Sequence, residues 1–162
     1  IKEFEPKHIV ITGGEPLIQQ NDIASLLSKL GDDYFVEVET DCTIIPNSAL
    51  LEHVNHWNVS PKTSNSGNSR KAREIPQCYD FFIKLENSVF KFVIENETDL
   101  KEIDELITKY SIPKNKILLM PQASTKDELN LKKEEIEKIA VAKGLLFSSR
   151  LQVERWGNQR GK

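Results

Sequence analysis

His8-Ile9-Val10-Ile11-Thr12-Gly13-Gly14-Glu15-Pro16 decides the fold. Its first part is β-branched and apolar, the composition of a strand, and it runs straight into two glycines and a proline. Beyond them Ile23, Leu26, Leu27 and Leu30 recur at i, i+3, i+4 and i+7, the period of a helix that buries one face, and Gly31 is placed to close that helix. Strand, glycine turn, helix is the opening unit of a β/α fold. With no Cβ, the two glycines let a ligand approach the backbone closely, and the Glu15 carboxylate can accept from an ammonium group such as an amino-acid-like ligand carries. Glu15 and Pro16 also suit the plain first turn of a helix.

Working outward, Phe35 to Thr40 alternates apolar and acidic residues as a second strand would, with Glu37 and Glu39 on one face. A short helix is expected from Ser48 to Val54, a brief strand from Trp57 to Ser60, and a long loop from Pro61 to Arg73 that could act as a binding lid. Val89 to Ile94 reads as a strand, and Thr98 as the cap of a helix striped by Leu100, Ile103, Leu106, Ile107 and Tyr110. Lys116 to Met120 reads as another strand. Thr125-Lys126-Asp127-Glu128 fits a capping box ahead of a helix with Ile136, Ile139 and Ala140 that ends at Gly144. The tail from Leu145 to Lys162 is less regular. This rhythm predicts an α/β fold of parallel strands with outer helices, an open sheet or a partial (β/α) barrel, over residues 1–162 as one domain. In such folds ligands bind at the carboxyl ends of the strands, which draws attention to Thr12 to Pro16, Glu39 to Thr43, Ser60 to Lys62 and Met120 to Ala123.

The 162 residues hold 22 Lys and Arg against 25 Asp and Glu, a formal net charge of −3, with 38% hydrophobic and 29% charged residues. That is ordinary globular composition, and the interspersed charges give no basic stripe for nucleic acid. No run of about 18 uncharged apolar residues and no signal-peptide order is present, so no membrane partner and a cytoplasmic location are expected. Gly-x-Gly-x-x-Gly and Gly-Lys-Ser/Thr are absent, which weakens nicotinamide and nucleotide triphosphate readings. His53 and His56 lie three apart on an expected helix without the ligands that would complete a metal site, and His8 reads as strand packing. Cys42 and Cys78, the two cysteines, read as buried thiols, and no metal site is expected within this chain.

Taken together, these pieces resemble the radical S-adenosylmethionine (SAM) superfamily and, within it, the 7-carboxy-7-deazaguanine synthases. The matching residues are Ile11-Thr12-Gly13-Gly14-Glu15-Pro16-Leu17, Glu37-Val38-Glu39-Thr40, Ser60-Pro61-Lys62, Lys91-Phe92-Val93, Met120-Pro121-Gln122, Arg150-Leu151-Gln152 and Trp156-Gly157-Asn158-x-Arg160-Gly161. They span almost the whole chain. Gly-Gly-Glu-Pro is shared by many radical SAM enzymes, whereas Ser-Pro-Lys and the Arg-Leu-Gln to Arg-Gly ending are narrower.

The resemblance implies a partial barrel in which Gly13, Gly14 and Glu15 hold the methionyl amine of SAM, while Ser60, Pro61 and Lys62 meet its other polar groups. It implies that Glu39 and Gln122 also contact SAM, that Thr12 faces the substrate, and that Trp156 to Gly161 shapes the substrate side or a dimer contact. The implied reaction is a lyase-type ring contraction of 6-carboxy-5,6,7,8-tetrahydropterin to 7-carboxy-7-deazaguanine with loss of ammonia, on the route to queuosine. In the family a reduced [4Fe-4S] cluster splits SAM, the 5′-deoxyadenosyl radical takes hydrogen from the substrate, SAM is regenerated, and Mg2+ assists. The implied partners are the pterin substrate, an electron donor such as flavodoxin or ferredoxin, and a second copy in a homodimer. The alternatives are another radical SAM enzyme, such as an activating enzyme, or a non-catalytic SAM-binding remnant.

Two departures stand out. Such a cluster takes cysteine thiolates, three of them closely spaced, and Cys42 and Cys78 are far apart and downstream of Gly-Gly-Glu-Pro. Since the chain opens at Ile1 and reaches its first strand by His8, it reads as the C-terminal part of a longer protein whose cluster loop and Mg2+ ligand lie upstream. The second departure is Asp41-Cys42, where the family often carries Asn-Gly or Gln-Gly.

Overall fold

A computed structural model of the chain describes residues 6–157 and 159. Two compact units organise them. The first is the chain through Pro61 together with Arg70–Val89, and the second is Lys62–Ser69 together with the chain from Phe90 onward.

The first unit holds β1 (His8–Ile11), a 3-10 turn (Pro16–Gln19), α1 (Gln20–Leu30), β2 (Phe35–Thr40), α2 (Ser48–Leu51), β3 (His56–Val59), α3 (Arg70–Arg73) and α4 (Pro76–Lys84). β1 pairs in parallel with β2 from His8↔Phe35 to Ile11↔Val38, and β2 with β3 from Glu37↔His56 to Thr40↔Val59. Parallel neighbours require crossovers, which α1 and α2 provide with their loops. Strand alternation puts Val36, Val38, Thr40, Trp57 and Val59 on a buried face. Leu17, Leu27, Leu50, Tyr79 and Phe82 are buried with them, and the Trp57 and Phe82 rings lie 5.7 Å apart. Burying such a side chain fully contributes about 1.5–3 kcal/mol. The opposite face is polar: Glu37, Glu39 and Asn58 are half-buried on it. His8 sits at its margin, Nε2 3.1 Å from a Glu37 oxygen and its ring edge-on to Phe35 at 5.0 Å, the strand packing expected of it.

The second unit holds a 3-10 turn (Ser64–Ser66), β4 (Ser88–Ile94, its first two residues counted with the first unit), α5 (Glu97–Tyr110), β5 (Ile117–Pro121), α6 (Lys126–Lys143), β6 (Leu146–Phe147) and α7 (Leu151–Trp156). β5 pairs in parallel with β4 from Phe90↔Ile117 to Ile94↔Pro121, and with β6 at Leu118↔Leu146 and Leu119↔Phe147. Phe90, Phe92, Ile94, Ile103, Leu106, Ile117, Leu119, Leu129 and Ala140 form its buried side. Thr125 and Glu128 make the expected capping box at the start of α6, and Gly144 ends that helix at φ 68. The α/β class therefore holds in both units, with parallel strands and helical crossovers in each. Among the described residues no helix is long and apolar enough to cross a membrane.

Several local expectations are corrected. The cap of α5 is Asn96, not Thr98: the Asn96 side chain accepts from the N–H of Thr98 and Asp99, and Asp99 completes a capping box. His53 and His56 do not share a helix, because α2 ends at Leu51 and His56 opens β3. The stretch from Pro61 to Arg73 is not wholly loop, since Ser64–Ser66 makes a 3-10 turn and Arg70–Arg73 a helical turn, where Arg70 Nε lies 2.6 Å from Glu74. The helix α4 was not anticipated, nor was α7 in the tail. Asn158, Arg160 and Gly161 of the C-terminal motif lie outside the described residues.

Candidate functional site

At the carboxyl end of β1 the chain turns through Thr12, Gly13 and Gly14, all exposed. Gly13 takes φ +149, a conformation side chains rarely tolerate, and a Cβ built on either glycine meets nothing within 4 Å. The backbone of this turn is thus open to a ligand. The Glu15 side chain faces the protein instead. Oε1 accepts from Leu17 N–H at 2.9 Å, and Oε2 accepts from the Thr40 hydroxyl at 2.9 Å and from Asp41 N–H at 2.7 Å. Burial raises its pKa and the neighbouring Asp41 carboxyl adds to the rise, while the N–H groups of Asp41 and Leu17 and the Thr40 hydroxyl pull the other way. Glu15 therefore knots the turn after β1 to the end of β2. The backbone of Gly13 and Gly14 stays exposed beside it.

The parallel register places Thr12 beside Glu39, and the Thr12 hydroxyl donates to Glu39 Oε2 at 2.9 Å. At the end of β3, Ser60 N–H donates to Thr40 O at 2.7 Å, so Ser60 joins the same group while Pro61 is buried. Four of the expected SAM residues, Gly13, Gly14, Glu39 and Ser60, are gathered with Thr12 on the strand ends of the first unit. Just beyond β2, Cys42 adopts φ +70 and is fully buried, and Thr43 donates to Asp41 Oδ1 through its N–H at 3.1 Å. A left-handed position is where glycine is favoured, which is the physical content of the Asp41-Cys42 departure.

In the second unit Lys62 is exposed immediately before the buried Thr63. Gln122 follows β5 and accepts from Arg150 Nη1 at 2.9 Å; the same nitrogen donates to Ala123 O at 2.9 Å. Both residues line an open cavity of about 260 Å³ together with Ser124, Gln152 and Gln159. Arg150 has only a place in a motif in the sequence, and the geometry adds what it touches: one guanidinium nitrogen bonds both the Gln122 amide oxygen and the Ala123 carbonyl, which fixes which way the Gln122 amide points. Thr40 and Asp41 lie within the Glu39 to Thr43 strand end that the sequence draws attention to, but their bonds to Glu15 are not legible there. Their signal is positional, as both lie at the end of the strand that neighbours the glycine turn.

Cys42 and Cys78 are free and buried, as expected. Burial pushes the Cys78 thiol up to about 11 and raises that of Cys42 too. Among the described residues no group of three His, Cys, Asp or Glu side chains converges as a metal site would need. Two buried, protonated thiols do not fit the ligand set of an iron-sulfur cluster.

Three relatives frame this geometry. The chain is 38% identical over 159 residues to the 7-carboxy-7-deazaguanine synthase of Pyrobaculum aerophilum, covering 96% of the chain and 68% of that protein. It is 32% identical over 162 residues to the protein of the same name from Hyperthermus butylicus, covering 94% of the chain and 67% of that protein. It is 30% identical over 168 residues to that of Rhodopirellula baltica, covering 96% of the chain and 63% of that protein. The chain thus spans about two thirds of the length of these curated relatives. No family model matches the chain.

Proposed function

The chain belongs to the 7-carboxy-7-deazaguanine synthase family, and we propose that it serves the ring contraction of 6-carboxy-5,6,7,8-tetrahydropterin to 7-carboxy-7-deazaguanine, with loss of ammonia, in queuosine and 7-deazapurine biosynthesis. The observation that carries this reading is the match to the Pyrobaculum aerophilum synthase, which runs over 96% of the chain and so takes in every strand end described above. SAM, when bound, supplies the group that abstracts hydrogen from the substrate.

The residues present fit SAM as a ligand. The open backbone of Gly13 and Gly14 offers carbonyl acceptors to its ammonium group, and their lack of side chains leaves room for close approach. The resemblance assigns Ser60 in the first unit, and Lys62 and Gln122 in the second, to its other polar groups, and a hydroxyl, an ammonium group and an amide are each chemically able to serve them. Glu39 is oriented by the bond from Thr12, whose exposed side chain is the substrate contact in this reading. The described residues contribute no ligand set for a cluster, so their part is binding and orientation. The same reading carries Mg2+, a flavodoxin- or ferredoxin-type electron donor, a homodimer and a cytoplasmic location.

The test is mass spectrometry of an anaerobic reaction containing the chain extended upstream to the length of its relatives, reconstituted cluster, reductant, SAM, Mg2+ and 6-carboxytetrahydropterin. Appearance of 7-carboxy-7-deazaguanine is expected. Formation of 5′-deoxyadenosine alone would replace the substrate with that of another radical SAM enzyme. Neither product, with the cluster verified, would replace catalysis with SAM binding alone.

A further inference from the structure

Within the second unit one carboxylate gathers donors from two distant stretches of chain. Asp99, 1% exposed at the start of α5, accepts from the Thr63 hydroxyl at 3.2 Å and from Asn65 Nδ2 at 3.0 Å. It also accepts from the N–H groups of Glu95 at 2.9 Å and Asn96 at 3.2 Å. The capping box needs only the Asn96 contact, so the bonds to Thr63 and Asn65 go beyond closing the helix. One turn further along α5, Glu102 accepts from Ser64 N–H at 2.8 Å. The loop segment is also closed on itself: Ser66 N–H and Oγ both donate to Thr63 O, at 3.1 and 2.8 Å, and Gly67 N–H donates to Ser64 O at 3.1 Å. Thr63, the residue next to Lys62, is 3% exposed.

We infer that Asp99 is a positioning residue for Lys62: by holding Thr63 and Asn65 it fixes the backbone from which the Lys62 ammonium group reaches the SAM carboxylate. The inference rests on the reading of Lys62 as a SAM contact. A lysine has a long flexible stem, and ordering it on a ligand costs conformational entropy. A root fixed in advance removes part of that cost from the binding step, so the anchoring bonds act on ligand affinity as well as on folding.

Thr63→Val keeps the shape of a buried side chain and deletes only the hydroxyl, and Asn65→Ala removes the second loop-side bond. Neither touches the two N–H groups that Asp99 caps. Equilibrium dialysis with SAM, well below the unfolding transition, should show about five- to tenfold weaker binding in the double variant, whose Tm should fall by only about 3–6 °C. Thr63→Ser, which restores the hydroxyl, should recover most of the affinity. Tryptic cleavage after Lys62, followed without any ligand, should accelerate several-fold in the double variant. Lys62→Ala should weaken SAM binding by itself, and adding the loop substitutions to it should weaken binding little further, because both routes remove one contact. Unchanged affinity and unchanged cleavage in Thr63→Val/Asn65→Ala, with Lys62→Ala still impaired, would overturn the positioning role and leave the SAM reading standing. Unchanged affinity in Lys62→Ala would overturn both.

Discussion

Two carboxylates, Glu15 and Asp99, each tie a loop to a neighbouring element, and they do it under different conditions. Glu15 is half-buried, serves three donors and has the Asp41 carboxyl beside it, which with burial raises its pKa. Asp99 is buried and serves four donors. Each region also needs a left-handed residue, and they fill it differently. The Glu15 region uses Cys42 at φ +70, a side chain in glycine's conformation, whereas the Asp99 loop uses Gly67 at φ +75. The Asp99 region is thus built to hold its shape, while the Glu15 region carries both an electrostatic and a backbone penalty beside the exposed Gly13-Gly14 turn. Strain of this kind gathers where a structure has a task beyond folding.

The largest effect should come from removing the better-satisfied carboxylate. Asp99→Ala leaves four donors without their acceptor and removes half of a capping box, so a loss of about 3 kcal/mol is expected in urea denaturation. A loss under about 1 kcal/mol would mean that water replaces the carboxylate freely and that the Asp99 region is no firmer than the other. Glu15→Gln should cost less, about 1–2 kcal/mol, since the amide keeps one acceptor oxygen but turns a donor toward Asp41 N–H or Leu17 N–H. If Glu15→Gln proved the costlier change, the penalty assigned to the Glu15 region would be misplaced.

How much of this was legible in the sequence follows the range of each interaction. β1, the glycine turn and α1 announce themselves within one short window, because strand composition, Gly13-Gly14 and the Ile23 to Leu30 spacing are local signals. The capping box at Thr125 is local too. At α5 the local signal was ambiguous: Thr98 is an acceptable cap residue, but Asn96 three residues ahead of Asp99 makes the reciprocal pair. α4 was passed over although Cys78, Tyr79 and Phe82 keep helical spacing, since it follows the polar stretch that read as loop. The knots themselves are beyond local reading. Glu15 meets Thr40 across 25 residues, Arg150 meets Gln122 across 28, and Asp99 meets Thr63 across 36. Only the register of parallel strands and the placement of the loops bring those pairs together.

A pH titration sharpens the comparison at the next level down. The Cys78 thiol, at about 11 in the fold, sits above its ordinary value of 9.0 because it is buried. A folded pKa raised above the unfolded one contributes stability that is intact below pH 9 and is lost as pH rises toward 11, because the unfolded chain releases the proton first. Denaturation midpoints should therefore fall between pH 9 and pH 10, the buried Cys42 thiol contributing as well, and Cys78→Ala should lessen that fall by the equivalent of about 1 kcal/mol. An identical slope in the variant would move the alkaline sensitivity to other groups.

The smallest effect tests the strain at Cys42 directly. In ordinary backbone, glycine is less stable than alanine by about 0.5–1 kcal/mol, because it loses more freedom on folding. At φ +70 the order should reverse, since a Cβ in the left-handed region costs about 1–2 kcal/mol that glycine avoids. Cys42→Gly and Cys42→Ala both give up the buried sulfur, so that loss cancels between them to first order. Cys42→Gly should then be the more stable of the two by about 1 kcal/mol in urea denaturation. Alanine proving the better replacement would show that the turn after Asp41 relaxes to accept a side chain, and that the backbone penalty separating the two regions is absent.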